Sequence, residues 1–229
     1  MKKIALLIFS VLIAGNAWAI TARWNGFLSV VGGKVISGDV NQVNYNEKNC
    51  PCFVADYHEG VAYEDEDFSL TNESRIGGQL NLGFTDELSF VTQIVVRDQG
   101  LNLSWAYLSW DFQPNWTLQL GRKRIPLYSK SEIQDVGFAY DWLRPPQALY
   151  GWEVDAYNGL NLRYSNQWRE WDWTLNGFFG EDEVKDSGYS RIYNLVKQDV
   201  RWKKFADLKF LQRKKNTPCD GCICLRKIH

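Results

Sequence analysis

SWAYLSWDFQPNWTLQLGRKR, residues 104–124, carries the pattern that decides the fold. Ala106, Leu108, Trp110 and Phe112 share one parity, while Trp105, Tyr107, Ser109 and Asp111 share the other. After the short polar turn Gln113-Pro114-Asn115, Trp116, Leu118 and Leu120 oppose Thr117 and Gln119. An extended chain sends successive side chains to opposite faces, so this alternation describes strands with one apolar and one polar face.

The same alternation extends in both directions. Upstream, Ala22, Trp24, Leu28 and Val30 oppose Arg23, Asn25 and Ser29. Ile76, Leu80, Leu82 and Phe84 oppose Glu73, Arg75, Gln79 and Asn81. Leu88, Phe90, Ile94 and Val96 oppose Ser89, Gln93 and Arg97, with Val91 and Val95 as exceptions. Downstream, Val154, Ala156, Leu160 and Leu162 oppose Glu153, Asp155, Asn161 and Arg163. Trp171, Trp173, Leu175 and Phe179 oppose Asp172, Thr174 and Asn176. An eighth segment is expected where Ile192, Val196 and Val200 face away from Arg191, Tyr193, Lys197 and Asp199. Alternation over about ten residues is the mark of a strand that crosses a membrane with one face to lipid and one to water. A soluble half-buried strand reads the same way, so the weight lies in the repetition.

The N-terminus and the composition narrow the class. Lys2 and Lys3 precede the apolar run from Ile4 to Ala14, and Ala17-Trp18-Ala19 offers a small-x-small cleavage site. This is the pattern of a secretory signal peptide over residues 1–19, with the mature chain expected to begin at Ile20. The run is too short to span a bilayer as a helix, and no apolar run of about 18 or more residues follows it. An exported chain that sits in a membrane without such helices must do so as a barrel. The 229 residues carry a net charge of -1, which gives no electrostatic footprint for nucleic acid. Eleven Trp and eleven Tyr suit the aromatic girdles of lipid-facing barrels, although an exported carbohydrate-binding or adhesive β-protein shares that excess.

Connections form a second pattern. Phe84-Thr85-Asp86-Glu87, Gln113-Pro114-Asn115 and Ser165-Asn166-Gln167 read as short polar turns. They alternate with longer connections at about 37–67, 98–102, 125–150 and 181–189, of which 98–102 fits least well. Outer-membrane barrels are strung this way, with the short turns periplasmic.

At this point the order of Ser74-Arg75-Ile76-Gly77, Phe84-Thr85-Asp86-Glu87-Leu88, Ala106-Tyr107-Leu108-Ser109 and Gly121-Arg122 before Pro126 resembles the start of the general (trimeric) porins of Gram-negative bacteria. The likeness covers roughly residues 20–200, about the first half of such a protein. It implies passive diffusion of small hydrophilic solutes or ions, residence in the bacterial cell outer membrane against lipid and lipopolysaccharide, and a homotrimer when intact. It also implies that the stretch 125–150, long and carrying Pro126, Pro145 and Pro146, folds inward as a constriction loop. Family constrictions set loop acids against wall bases. The matching acids are Glu132, Asp135 and Asp141, and the bases are Arg23, Arg75, Arg97 and Arg163, with Arg122, Lys123 and Arg124 at the strand end. Arg122 and Arg124 share the parity of Leu120, so they reach the lumen only past a bulge or the membrane boundary; Lys123 has the right parity. A mild anion preference is expected, since charged linings select ions electrostatically.

Other constellations carry less. The acidic run from Tyr63 to Asp67 lacks the spacing of a calcium loop and reads as solvated. His58, near Asp56 and Glu59, has no serine at a telling spacing, so no enzyme and no cofactor are expected. Cys50 and Cys52 are too close for an unstrained bond to each other. Cys219, Cys222 and Cys224 with His229 could form a zinc-like set, but from about Lys203 the alternation fails. Residues 203–229 therefore read as an aberrant, basic, Cys-rich tail of the kind a frameshift or truncation leaves. The expected architecture is all-β: a transmembrane antiparallel meander of about eight strands from a pattern that normally runs to about sixteen. An incomplete barrel leaves open edges in lipid, at several kcal/mol per unsatisfied group, and is expected to misassemble. A small closed barrel without pore activity is the remaining alternative; its interior would have no room for an inward loop.

Overall fold

Residues 20–36, 53–56, 58, 60–63, 68–98, 100–128, 130–193 and 196–214 are described by a computed structural model. Each alternating segment up to Phe179 forms a strand. They are β1 (Thr21–Ser29), β4 (Arg75–Gly83), β5 (Leu88–Arg97), β6 (Gly100–Gln113), β7 (Trp116–Arg124), β8 (Ala156–Trp168) and β9 (Trp171–Val184). With β10 (Val200–Lys214) they make one eight-stranded sheet in the order β1-β4-β5-β6-β7-β8-β9-β10. Every neighbouring pair is antiparallel. The protein is thus an all-β meander, and among the described residues the sheet is not closed: β1 and β10 have one neighbour each there. A two-stranded hairpin, β2 (Phe53–Asp56) with β3 (Val61–Tyr63), lies between β1 and β4 in the chain.

Register carries the parity of the sequence across the sheet. Leu108, Leu120, Leu160 and Phe179 are aligned on adjacent strands, and on the opposite face so are Ser109, Gln119, Asn161 and Phe178. The connection between β7 and β8, residues 125–155, covers the second of these faces. Its Gly137 stands so close to β1 that a Cβ there would lie 3.0 Å from Ser29 Oγ. At the far edge Lys209 Nζ on β10 donates to the Pro126 carbonyl at 3.0 Å. Beneath the loop Ile125, Val154, Tyr157 and Phe178 form a buried cluster, with Trp202 and Phe205 of β10 packed against it. Val95, an exception to the alternation, is fully buried on this covered face.

Turns at one end are short: Phe84 to Glu87, Pro114-Asn115 and Arg169-Glu170. The last lies two residues beyond the expected Ser165-Asn166-Gln167, because β8 continues to Trp168 and Arg169 makes the corner in the left-handed region at φ 54°. At the other end the β5–β6 connection is also tight, whereas the β7–β8 and β9–β10 connections are long.

Two sequence expectations change at the C-terminal side. Gly188–Tyr193 is a short helix, not strand, and the eighth strand runs from Val200 to Lys214. The stretch 203–214 therefore belongs to the sheet. Its alternation was hidden by a register shift between Trp202 and Phe205, where Lys204 takes φ 53°, so that parity resets within the strand. The segment 1–19, Cys50, Cys52, the acids at 64–67, and Cys219, Cys222, Cys224 and His229 all lie outside the described residues.

Gly121 is required where it sits. It holds φ 136°, and a Cβ on it would lie 2.3 Å from the Ala106 carbonyl oxygen of β6. Gly121→Ala adds backbone strain and overpacking together and is expected to destabilise the sheet by roughly 2–5 kcal/mol. The urea midpoint of the refolded protein checks this, with the m-value unchanged if the native sheet is otherwise intact.

Candidate functional site

Two clusters of charge lie where the loop meets the sheet, and the loop's own turns separate them. Ser131–Ile133 and Gly137–Ala139 are single 3-10 turns, the first tied by the Tyr128 N–H donating to Ser131 Oγ at 3.0 Å. Glu132 and Asp135 thereby point into different places.

Asp135 is the anchor. It is buried and accepts hydrogen bonds from three guanidinium groups: Arg97 and Arg124 at very short range and Arg75 at 3.3 Å. These arginines come from β4, β5 and β7, so one carboxylate draws three strands and the loop together. Burial pushes the Asp135 carboxyl up, but Arg124, Arg97 and Arg75 outweigh it and hold it well below the usual carboxylate range. Arg124 had the parity of the apolar face. It reaches Asp135 just beyond Gly121, where the strand departs from regular geometry, and its guanidinium is buried.

A second carboxylate, Asp155 at the far end of the loop, extends the cluster. It lies 3.8 Å from Arg124 and 3.4 Å from His58 Nε2, and Gln134 donates to it at 3.4 Å. Burial raises its carboxyl, but His58 and the arginines offset this and leave it lowered. His58 follows β2, and its Nδ1 meets the Trp152 carbonyl at 2.7 Å, an acceptor-only partner that places a hydrogen on Nδ1. The β2–β3 hairpin is thereby fastened to the end of the β7–β8 loop. Arg144 adds a two-pronged contact, with Nε and Nη2 each 2.7 Å from the Glu73 carboxylate. Tyr63 of β3 donates to the same carboxylate at 2.8 Å. Burial and that bond to Glu73 push the Tyr63 phenol up to about 12.

Glu132 faces the other cluster. A cavity of about 230 Å³ between the loop and β7–β10 is lined by Glu132, Lys123, Arg163 and Lys209, with Asn161 and Asn176 among its neutral polar groups. Lys123 also stands 4.8 Å over the Tyr107 ring. Three cations against one carboxylate give this cavity a positive balance. Its volume is large enough to hold a small hydrated solute.

The sequence candidates therefore divide. Arg75, Arg97, Arg124 and Asp135 meet in the anchor; Lys123, Glu132 and Arg163 meet at the cavity. Arg122 joins neither: it holds Asp182 at 2.7 and 3.3 Å, and its Nε donates to the Leu103 carbonyl. Arg23 is exposed on edge strand β1, and Asp141 is exposed in the loop. Lys209, Asp155, His58 and the Glu73–Arg144 pair were not legible as site residues. No group of His, Cys, Asp and Glu suited to a metal occurs among the described residues. No protein-family model and no curated protein matches the chain.

Proposed function

We propose that this chain forms the wall of an outer-membrane pore of the porin type, through which small hydrophilic solutes diffuse passively past a charged constriction. The observation that carries this reading is the uncovered face of the sheet. Leu108, Leu120, Leu160 and Phe179 are aligned across four strands there and are 37%, 48%, 41% and 47% exposed. Trp24 and Leu28 of β1 and Leu208 of β10 continue the apolar surface to both edges. Soluble monomers seldom expose contiguous apolar patches beyond a few hundred Å², whereas a bilayer is the natural solvent for such a face. Near the short turns the surface becomes aromatic. Trp110, Phe112, Trp116 and Tyr164 stand in a chain of ring contacts at 4.7–6.3 Å, and Trp173 meets Phe210 at 5.6 Å. An aromatic belt at one level suits the headgroup region.

The covered face has the opposite character. Gln93 donates to Gln79, Gln79 to Asn81, and Gln119 to Ser109, a polar lattice suited to water. The test is reconstitution of the folded chain into lipid vesicles, followed by swelling in small neutral sugars. Flux into the vesicles supports the pore; a chain that stays in buffer without detergent and never enters vesicles ends the reading. Leu120→Arg sharpens the test, since an arginine on the lipid face of a barrel costs about 2–4 kcal/mol at the bilayer midplane. The vesicle-inserted fraction of this variant is expected to fall steeply; insertion equal to that of the parent chain would count against a lipid-facing role.

A further inference from the structure

We infer that His58 is a pH-dependent latch: its imidazolium form fastens the β2–β3 hairpin over the Asp135 anchor, and loss of its proton lets the hairpin go. This device goes beyond the pore reading and does not depend on it.

Both ring nitrogens face groups that can only accept. Nδ1 lies 2.7 Å from the Trp152 carbonyl oxygen, and Nε2 lies 3.4 Å from a carboxylate oxygen of Asp155. A neutral imidazole has one N–H and one bare nitrogen. With its hydrogen on Nδ1, the lone pair of Nε2 is aimed at a carboxylate; with the hydrogen moved to Nε2, the lone pair of Nδ1 is aimed at a carbonyl. The doubly protonated ring donates to both. Both side chains are largely buried, so a missing hydrogen bond is not readily replaced by water. Imidazole is the side chain that ordinarily changes charge between about pH 5 and 8. His58 is the single histidine among the described residues.

The charges around the ring favour the imidazolium. Asp56 accepts the His58 backbone N–H at 2.9 Å, and both Asp56 and Asp155 have His58 as their strongest attractive neighbour. Arg75, Arg97 and Arg124 oppose a further positive charge, but all three are held on Asp135. At the hairpin turn, a Cβ on Gly60 would lie 2.9 Å from Arg191 Nη2 of the helix Gly188–Tyr193, and Arg191 is 3.8 Å from Asp186. Glu153, beside Trp152, accepts from Ser190 Oγ at 3.0 Å. Asp155 is lowered despite its burial and stays ionised throughout the imidazole range, whereas burial pushes the Asp56 carboxyl up.

The latch holds a cover in place. Ala55, Asp56, His58 and Val61 of the hairpin line a cavity of about 40 Å³ together with Arg75, Arg97 and Asp135. The other end of the hairpin is held independently. Tyr63 donates to Glu73 at 2.8 Å and packs with Val35 and Ala55 in a buried apolar cluster. That hold does not titrate with imidazole. The Tyr63 phenol stands at about 12, and Glu73, raised by burial, is brought below its ordinary value by Arg144 and Tyr63. The hairpin therefore opens from its His58 end while its Tyr63 end stays fixed. The docked state binds one proton more than the released state, so docking weakens as pH rises.

The test follows hydrogen exchange of peptides covering residues 53–63 in the full chain, expressed as protection factors, from about pH 5.5 to 8. Protection is expected to fall on the order of tenfold across that range, the effect of losing one charge-assisted hydrogen bond, while β4–β9 keep theirs. His58→Gln, which can donate but carries no charge, is expected to give low protection at every pH. Asp56→Asn is expected to keep the slope of the parent. A flat or rising profile in the parent overturns the latch. So does a parent-like slope in His58→Gln, or a slope lost in Asp56→Asn, which assigns the titration to Asp56. Should His58→Gln fail to fold, the ¹⁵N resonances of the parent imidazole decide. They are expected to pass from the doubly protonated to the neutral position in step with the loss of protection; protection lost with the ring in one state throughout overturns the latch.

Discussion

Asp135→Ala is expected to release the β7–β8 loop from the sheet. The substitution leaves Arg75, Arg97 and Arg124 around one vacated position, with Asp155 3.8 Å from Arg124 and Asp56 close enough to act on Arg97 and Arg75. Removing one partner of a buried ion pair costs about 3–5 kcal/mol, chiefly through the charges left behind. Undocking is the least costly way to relieve that repulsion, because it lets water reach the guanidinium groups. Hydrogen exchange and limited proteolysis over residues 126–150 are the measurements, and both are expected to accelerate while strands β4–β9 keep their protection. If the loop stays as protected as in the parent protein, the anchor lies elsewhere.

The pH dependence follows from the same geometry. The folded-state carboxyl of Asp135 is held below its unfolded value by the three arginines, despite burial. Its contribution is then fully present above the unfolded value of about 3.9 and is lost only as pH falls through the lower folded value. The parent loop is expected to stay docked in mild acid and to loosen only in strong acid, whereas Asp135→Asn, uncharged at every pH, behaves at neutrality as the parent does in strong acid.

The residues of the anchor were named beforehand only through the porin resemblance, which set Asp135 among the loop acids and Arg75, Arg97 and Arg124 among the wall bases. Parity placed Arg75 and Arg97 toward water, but nothing in the sequence singled out Asp135 from Glu132 and Asp141 as their buried partner. Lys209 was not legible. The corner at Lys204 resets the alternation inside β10, and a single-parity reading across it sees only noise. The segment Ile192, Val196 and Val200 misled for a related reason: spacing at every fourth residue suits a strand and also a helix, and the chain divides it, Ile192 falling in the helix Gly188–Tyr193 and Val200 opening β10. The β2–β3 hairpin escaped because strands of 4 and 3 residues are too short to show a period. His58 consequently looked isolated, although the hairpin carries it to Asp155.

In the pore proposed above, the double substitution Lys123→Glu, Lys209→Glu is expected to reverse the ion preference. In the parent, Lys123, Arg163 and Lys209 stand against Glu132 around the cavity, a positive balance. The variant leaves Arg163 as the single cation among three carboxylates. Charges a few Å from the path of an ion, in a medium intermediate between water and protein, act at about 1 kcal/mol or more apiece. The ratio of anion to cation permeability is then expected to fall on the order of tenfold to a hundredfold, enough to change the sign of the reversal potential in a salt gradient. The effect is expected to shrink at about 1 M salt, where the screening length drops to about 3 Å. Arg122 supplies the discriminating control. It neighbours Lys123 in sequence, yet its guanidinium is held by Asp182 and the Leu103 carbonyl. Arg122→Gln is therefore expected to weaken the sheet with little change in selectivity. A shift in reversal potential with Arg122→Gln as large as that of the double variant would show that selectivity follows the overall charge of the strand end, with no special role for the cavity under the loop.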